Sequence, residues 1–247
     1  MITTIFFDAD GTLYDEAGAL NRAEYLTALR ISEASGIPPA EIYRVFRREK
    51  ARVEEKLRGS PRANDRALWF RETLRALNVS AVTEETAENW YWLAALDRMD
   101  PYVDLTCVLP QLCQKYRLFV LTDEFRTIQL RKLDRLGLLP FFEDIISSDA
   151  VGRTKPDRTL FRHAQEKAGA LPEASAMVGD NPAADILGGN RAGMHTAWLQ
   201  RGKYYFYPIH DAEHPDFTFR SYLQLGAWLD HIGETRTGAA GRKGTAP

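Results

Sequence analysis

Two aspartates that stand one residue apart follow the first apolar run of the chain. Residues 2–7 are mostly β-branched or aromatic, which predicts a strand buried on both faces, as in a parallel sheet. Asp8 and Asp10 come directly after this run, and Gly11 with Thr12 ends it. Because ligands of open parallel sheets bind beyond the carboxyl ends of the strands, both carboxylates are placed where chemistry is expected. Carboxylates this close repel each other, and a bound divalent cation is the usual remedy. The alternative is a simple turn, in which an aspartate caps the backbone and the glycine supplies a positive φ.

Three later segments carry similar residue types beside predicted strands or helices. They are LFVLT (118–122), KPD (155–157) and VGDNPAAD (178–185). The first is an apolar run that ends in Thr122, and the second predicts that Lys155 opens a helix. The third is a strand followed by Asp180 and Asp185, five residues apart. Taken alone, this last pair also fits an N-cap acid and a solvated helical aspartate.

Together with DADGTL (8–13), these segments resemble the four motifs of the haloacid dehalogenase-like hydrolases, and they occur in the order of that family. The resemblance covers roughly residues 1–230. It implies a phosphatase-type member in which Asp8 is the nucleophile and forms an aspartyl-phosphate. It also implies that Asp10 is the general acid and base, which protonates the leaving alcohol and then takes a proton from water. Dehalogenases of this type lack the second aspartate, since a halide needs no proton to leave.

The resemblance also implies a magnesium site. Mg²⁺ prefers oxygen ligands in octahedral geometry and keeps several waters. The implied ligands are the side chains of Asp8 and Asp180 and the backbone carbonyl of Asp10. Asp185 lies one helical turn further on, where it would orient a metal-bound water or pair with Lys155.

Five residues are expected to bind the substrate phosphate: Gly11, Thr12, Thr122, Asp123 and Lys155. The resemblance implies that Thr122 donates to a phosphoryl oxygen, and that Lys155 neutralises charge on the nucleophile and on the transferring group. Many relatives have asparagine after the threonine, whereas Asp123 stands here. An acid beside a phosphate is unfavourable unless it is paired or turned away, so the role of Asp123 stays open.

The elements around these residues change type along the chain. Apolar spacing predicts four helices between the first two strands, over Ala17–Ser35, from Pro39 to about 58, over 64–77 and from Thr83 to about 96. They resemble the small helical cap that this family inserts after its first motif. From Pro101 strands and helices alternate, as in βαβ units. We therefore predict an α/β fold with a doubly wound, Rossmann-like parallel sheet. The predicted divisions are a core of residues 1–15 and 100–234, a cap of 16–99, and a disordered tail of 235–247.

Three other clusters invite a functional interpretation, but each has a simpler one. Residues 210–216 carry two histidines and three acids beside Pro215, and a polar surface loop is favoured over a metal site. Trp69 and the run 90–92 have helical spacing, which favours the core of the cap over stacking on a substrate. The basic segment 44–58 contains interspersed glutamates, which favours a solvated, ion-paired helix.

Composition indicates which classes of partner and site are not expected. A net charge of −2 and a pI near 6.2 give no reason to expect nucleic acid or an anionic membrane as partner. Cys107 and Cys113 are the only cysteines, and they indicate neither a disulfide framework nor a zinc site. Met1 leads into the first strand and no apolar run is long enough to cross a bilayer, so we expect a cytoplasmic protein.

The sequence therefore predicts a Mg²⁺-dependent phosphatase of a small phosphorylated metabolite. Two alternatives remain at this point. One is a phosphotransferase of the phosphoglucomutase kind, which shields the aspartyl-phosphate from water. The other is a non-catalytic binding protein on the same scaffold, because fold does not fix function.

Overall fold

A six-stranded parallel sheet forms the centre of the protein. The computed structural model describes residues 1–240, with side chains for residues 1–232. The strands are β1 (Thr4–Phe7), β2 (Arg117–Thr122), β3 (Asp144–Ser147), β4 (Ser175–Gly179), β5 (His195–Leu199) and β6 (Phe217–Phe219). Their order is β3-β2-β1-β4-β5-β6, and each neighbouring pair is parallel. This order confirms the predicted α/β, doubly wound fold.

The strand order reverses at β1. The chain builds β2 and β3 on one side of β1 and then crosses to form β4 on its other side. In register, Phe7 lies opposite both Val120 of β2 and Val178 of β4. The carboxyl ends of β1 and β4 therefore flank the crevice in which ligands of such sheets bind.

Helices cover both faces of the sheet because each strand buries side chains on both sides. They are α5 (Val103–Lys115), α6 (Arg126–Arg135), α7 (Arg158–Ala168), α8 (Leu187–Arg191) and α9 (Tyr222–Ala240). Successive residues of β1 belong to different apolar clusters, since side chains alternate across a strand. Phe6 packs in a cluster with Phe161 of α7, and Phe7 packs in the larger cluster that contains Leu133 of α6.

Four helices between β1 and β2 pack mainly on one another. They are α1 (Ala17–Ser35), α2 (Pro39–Lys56), α3 (Arg66–Ala76) and α4 (Glu84–Leu96). Both α1 and α3 pack against α2 and α4. The side chains of Asp65 and Thr83 cap the amino ends of α3 and α4. Trp69, Tyr91 and Trp92 are buried, as predicted, whereas Trp90 is only partly buried and packs against this core.

Charged residues on α2 are largely solvated and paired, as the interspersed glutamates predict. Arg48 and Arg52 contact Glu49, and Arg47 contacts Glu24 of α1. Both histidines of residues 210–216 are exposed in a loop, as expected for that segment. Among the described residues, no helix is both long and apolar enough to cross a membrane.

Several boundaries differ from the predictions. Lys155 does not open a helix: its peptide bond to Pro156 is cis, Asp157 caps α7, and α7 begins at Arg158. The edge strand β6 was not predicted, because three residues are too few to establish a period of two. Helix α9 continues to Ala240, beyond the predicted start of the tail at residue 235, and residues 241–247 lie outside the described residues.

Candidate active site

Three buried carboxylates meet at the crevice beside β1. Asp8 follows β1, Asp180 follows β4, and Asp185 lies in the π-type turn Pro182–Ile186 that precedes α8. One oxygen from each lies within 4.8 Å of the others. Burial and the neighbouring acids Asp8 and Asp185 raise the pKa of Asp180 to about 9. Burial also raises the pKa of Asp8 to about 7, although Lys155 opposes this. A cation at this point would favour the charged forms of all three groups.

Two glycines allow the acids to come this close to the backbone. A Cβ on Gly11 would lie 2.6 Å from Oδ2 of Asp180, and Gly11 also has a φ of +85°. A Cβ on Gly179 would lie 2.3 Å from Oδ2 of Asp185. Any side chain at either position would displace a carboxylate, so both glycines are required by close approach.

Lys155 contacts two of these three acids. Its Nζ donates to Oδ1 of Asp8 at 2.5 Å and lies 2.7 Å from Oδ1 of Asp185, and it also donates to the carbonyl of Leu121 at 3.2 Å. Burial alone would lower the pKa of Lys155, but Asp185, Asp8 and Asp123 raise it well above its usual value. Lys155 is therefore a fixed positive charge against the candidate nucleophile, and Asp185 is placed to pair with it.

Thr12 binds the other oxygen of Asp8. Its hydroxyl donates to Oδ2 of Asp8 at 3.0 Å and accepts the backbone N–H of Asp180 at 3.0 Å. This threonine links the ends of β1 and β4. It is fully buried, so its observed contacts are with the candidate nucleophile and not with the cavity.

The structure gives Asp123 a structural contact with the segment that carries Lys155. Its Oδ1 accepts the backbone N–H of Lys155 at 2.8 Å, and its carbonyl accepts hydrogen bonds from Asn64 and Ser148. The carboxylate thus holds the segment that carries the lysine. Thr122 is buried next to it, and its hydroxyl accepts the N–H of Glu124 at 3.1 Å. Asp123 lines the cavity, whereas Thr122 is not among the lining residues.

Asp10 has different surroundings from Asp8. Its Oδ1 accepts the hydroxyl of Tyr14 at 2.5 Å and Nζ of Lys132 at 2.7 Å. Burial would raise the pKa of Asp10, but Lys132 and Tyr14 outweigh burial and lower it to about 2. Asp10 lines the cavity with Asp8 and Lys155, so the structure brings the predicted acid–base residue to the same site.

Lys132 and its neighbours were missed by the sequence analysis. Lys132 is fully buried on α6 and lies 3.5 Å from Glu16 and 3.7 Å from Glu124. Glu124 in turn lies 2.8 Å from Arg66 of α3. One signal for Lys132 exists: Gln129, Lys132 and Leu133 share the inward face of α6 at helical spacing. A lysine on such a face requires buried acidic partners, but the sequence does not say which acids these are.

A family model described as haloacid dehalogenase-like hydrolase matches residues 2–193. The chain belongs to the haloacid dehalogenase-like hydrolases. This confirms the family that the four motifs resemble.

Relatives of this hydrolase include phosphatases. The glyceraldehyde 3-phosphate phosphatase of Methanopyrus kandleri is 30% identical over 88% of this chain and 92% of its own. The ribulose-1,5-bisphosphate 5-phosphatase of Halopiger xanaduensis is 30% identical over 79% of this chain and 84% of its own. The HAD-hydrolase YfnB of Bacillus subtilis, solved bound to magnesium, has a TM-score of 0.66 and 24% identity, covering 93% of this chain and 99% of its own. The chain is a phosphoric monoester hydrolase of this family, which confirms the prediction of an enzyme.

The cavity of this hydrolase has walls from both halves of the chain. Its volume is about 240 Å³. Beside the acids and Lys155, it is lined by Asn64, which precedes α3, and by Arg66, the first residue of α3. Lys203 and Tyr204 line it from the loop after β5, and the hydroxyl of Tyr204 accepts a hydrogen bond from Asn181 at 3.0 Å. These four residues were also missed, because they are far from the motifs in sequence.

Proposed function

We propose that the protein is a Mg²⁺-dependent phosphatase that hydrolyses a small phosphorylated metabolite, of the sugar phosphate class, through an aspartyl-phosphate on Asp8. The observation that carries this proposal is the setting of Asp8. It ends β1 at the strand-order reversal, binds Lys155 and Thr12, and faces a cavity that also contains Asp10.

The residues present fit a magnesium ion. Asp8 and Asp180 offer buried carboxylate oxygens, and Asp185 completes a cluster within reach of one ion. All of these donors are oxygens, which suits a hard cation. The side chains of Asp8 and Asp180 and the carbonyl of Asp10 would hold it, with Asp185 at its edge. When bound, Mg²⁺ neutralises charge between the nucleophile and the phosphate.

The first displacement is assigned to Asp8. A carboxylate oxygen of Asp8 forms a bond to phosphorus while the bond from phosphorus to the leaving oxygen breaks. Lys155 donates to Asp8 and stabilises negative charge that accumulates where carboxylate and phosphate meet. Thr12 holds the second carboxylate oxygen, so the nucleophile keeps its orientation.

Asp10 is assigned the proton transfers. In its protonated form it gives a proton to the leaving oxygen in the first displacement, which releases the alcohol and leaves Asp10 as the carboxylate. It then takes a proton from the water that attacks phosphorus, which breaks the bond to Asp8 and releases inorganic phosphate. The low pKa of Asp10 favours the carboxylate, which is the form that takes a proton in this second step.

The substrate class is supported by the cavity and by the relatives. The cavity has a volume of about 240 Å³, and much of its lining is polar or charged. Asn64, Arg66 and Tyr204 offer hydrogen-bonding groups to a polyol. Two relatives at 30% identity are named for a triose phosphate and a sugar bisphosphate.

We place the protein in the cytoplasm, without a nucleic acid or membrane partner. Two free, exposed cysteines, Cys107 and Cys113, fit a reducing compartment. The division into a core of residues 1–15 and 100–234 and a cap of 16–99 is part of this proposal.

The test is phosphate release from a panel of triose, pentose and hexose phosphates, nucleotides and an aryl phosphate. We expect turnover of a sugar phosphate and of the aryl phosphate in Mg²⁺. Treatment with EDTA should abolish turnover, Mg²⁺ should restore it, and Ca²⁺ should support it poorly because it prefers more ligands and looser geometry. Full activity after thorough chelation would refute metal dependence, and no phosphate release from any substrate would refute the phosphatase.

A further inference from the structure

Tyr14 and Lys132 donate to the same oxygen of Asp10. The hydroxyl of Tyr14 and Nζ of Lys132 each donate to Oδ1, at 2.5 and 2.7 Å. Oδ2 accepts neither of these two donors, although the carboxyl of Glu16 also lies close to Asp10. A proton exchanged with a leaving group or a water would pass through Oδ2. Two donors on one oxygen fix both the rotation and the tilt of a carboxylate, which a single donor does not.

Lys132 carries a buried positive charge that neighbouring acids balance. Its side chain is 0% exposed, and it is surrounded by three acids, with Asp10 the nearest. Its Nζ also lies 5.2 Å from the ring centre of Trp92 and 5.9 Å from that of Tyr14. A buried ammonium group is costly unless it is paired, so this position is tolerated only because acids meet it.

The second donor is itself oriented by α6. Gln129 donates to the hydroxyl oxygen of Tyr14 at 2.9 Å, which directs the hydroxyl proton toward Asp10. Gln129 and Lys132 are three residues apart on the buried face of the same helix. Because α6 is a packed helix and not a loop, it holds both groups at fixed positions relative to Asp10.

Lys132 also connects Asp10 to α3. Its third acid is Glu124, at 3.7 Å, which pairs with Arg66 at 2.8 Å. Cζ of Arg66 lies 4.7 Å from the ring centre of Trp69 and 4.9 Å from that of Trp92. Lys132 is therefore held by Asp10, which follows β1, and through Glu124 by Arg66 of the inserted helices.

From this geometry we infer that Lys132 is a positioning residue for the acid–base step: with Tyr14, it fixes the carboxylate of Asp10 so that Oδ2 faces the reacting oxygen. This inference rests on the proposed function. It predicts that loss of Lys132 lowers the turnover rate most for substrates whose leaving group must be protonated. An alkyl leaving group needs that proton more than an aryl leaving group does.

The experiment compares Lys132→Met and Tyr14→Phe with the wild type on an alkyl and an aryl phosphate. For Lys132→Met we expect kcat on the alkyl phosphate to fall by about 10²-fold, the usual cost of a misplaced group, and kcat on the aryl phosphate to fall by less than about tenfold. Tyr14→Phe should show the same selectivity with a smaller loss. Capture of beryllofluoride by Asp8 should persist in both variants, because neither residue contacts Asp8.

The decisive arm repeats Lys132→Met in an Asp10→Asn background. If Lys132 acts through Asp10, Lys132→Met should lower the turnover of Asp10→Asn by less than a further factor of about two, since the effects of residues that act as a unit are not additive. The matched control is Lys167→Met, which removes a lysine 2.6 Å from Asp144, outside the cavity, and should change neither substrate.

Two results would overturn the inference: equal losses on both substrates, or an undiminished loss in the Asp10→Asn background. If Lys132→Met does not fold, Tyr14→Phe and Lys132→Arg carry the same comparison. Failure of the proposed function would look different, because the wild type would then release no phosphate, or Asp10→Asn alone would keep wild-type turnover of the alkyl phosphate.

Discussion

Asp8 and Asp10 are two residues apart, yet their surroundings separate them electrostatically. Burial raises the pKa of Asp8 to about 7, and repulsion from Asp185 adds to this. Asp10 is only half-buried; its burial would raise its pKa, but Lys132 and Tyr14 hold that pKa at about 2. Without a cation this pattern would make Asp8 the better proton donor; a cation beside Asp8 and Asp180 would lower the pKa of Asp8 and keep it as the carboxylate that a nucleophile must be. Lys155 pairs with the first acid and Lys132 with the second, so each role has its own lysine.

Substitution of each acid by asparagine tests this division of roles. Asp10→Asn keeps the shape and the backbone carbonyl but loses the proton-transfer group. We expect it to bind Mg²⁺ and to capture beryllofluoride on Asp8, while turnover falls by about 10²–10⁴-fold, the usual worth of general acid–base catalysis. Asp8→Asn should abolish both turnover and capture, because it removes the nucleophile. Fluorine NMR of the beryllofluoride complex, with phosphate release, measures both effects. Wild-type turnover of an alkyl phosphate by Asp10→Asn would contradict the assignment of Asp10.

At the scale of elements, one ion pair joins three separate segments. Asp104 in the first turn of α5 accepts hydrogen bonds from Arg201, in the loop after β5, at 3.0 and 2.7 Å. It also accepts the N–H of Tyr222, the first residue of α9, at 2.9 Å. The hydroxyl of Tyr222 donates to the carbonyl of Thr12 beneath the candidate active site. The junction therefore fixes the carboxyl-terminal helix against the segment that follows β1.

This junction predicts a pH-dependent contribution to stability. Burial would raise the pKa of Asp104, but hydrogen bonds from Arg201 and Tyr222 lower it from 3.8 to about 2. A lowered carboxylate pKa stabilises the fold above pH 4 and stops doing so as pH falls through the folded value. Asp104→Asn should reduce the free energy of unfolding by about 1 kcal/mol at pH 7, after allowance for solvent screening, and by much less near pH 2. Urea titration at several pH values measures this.

A matched control is Asp97→Asn, which removes an exposed aspartate with a single arginine neighbour. It should change stability little at any pH, since exposed pairs contribute little. A loss at Asp104 that stays constant from pH 7 to pH 2 would contradict the ionic explanation.

For the whole molecule, the structure predicts that the inserted helices can be removed without unfolding the core, with a loss of substrate selectivity and thermal stability. Asp8, Thr122, Lys155 and Asp180 all lie outside residues 17–98, and α1–α4 pack mainly on one another. With a short flexible linker in place of 17–98, the core should fold and retain some aryl phosphate turnover. It should lose selectivity among natural substrates, because Asn64 and Arg66 no longer line the cavity. Thermal stability should fall, since Lys132 would lose its contact with Trp92 of α4.

Circular dichroism, thermal unfolding and the substrate panel measure these three effects against the full chain. An unfolded deletion variant would show that both halves depend on one apolar nucleus. The buried cluster that contains Leu13, Tyr14 and Trp92 makes this the informative alternative.

The sequence alone determined those features that depend on neighbouring residues. Side-chain alternation and turn chemistry act over a few residues, so β1, the four inserted helices and the helix ends at Gly36 and Gly169 could be predicted. Asp8 and Asp10 could be predicted in the same way, because they stand at the end of a strand. Lys155 and Asp180 were joined to them only by the resemblance of four motifs, in order, to one family.

Only the tertiary structure decided which further residues join that site. Lys132 meets Asp10 across 122 positions of sequence, and Arg66 meets Glu124 across the junction with α3. The role of Asp123 also depends on a distant contact, with the N–H of Lys155. No local rule specifies these pairs, because they follow from how helices pack on the sheet and from the requirement that every buried charge find a partner.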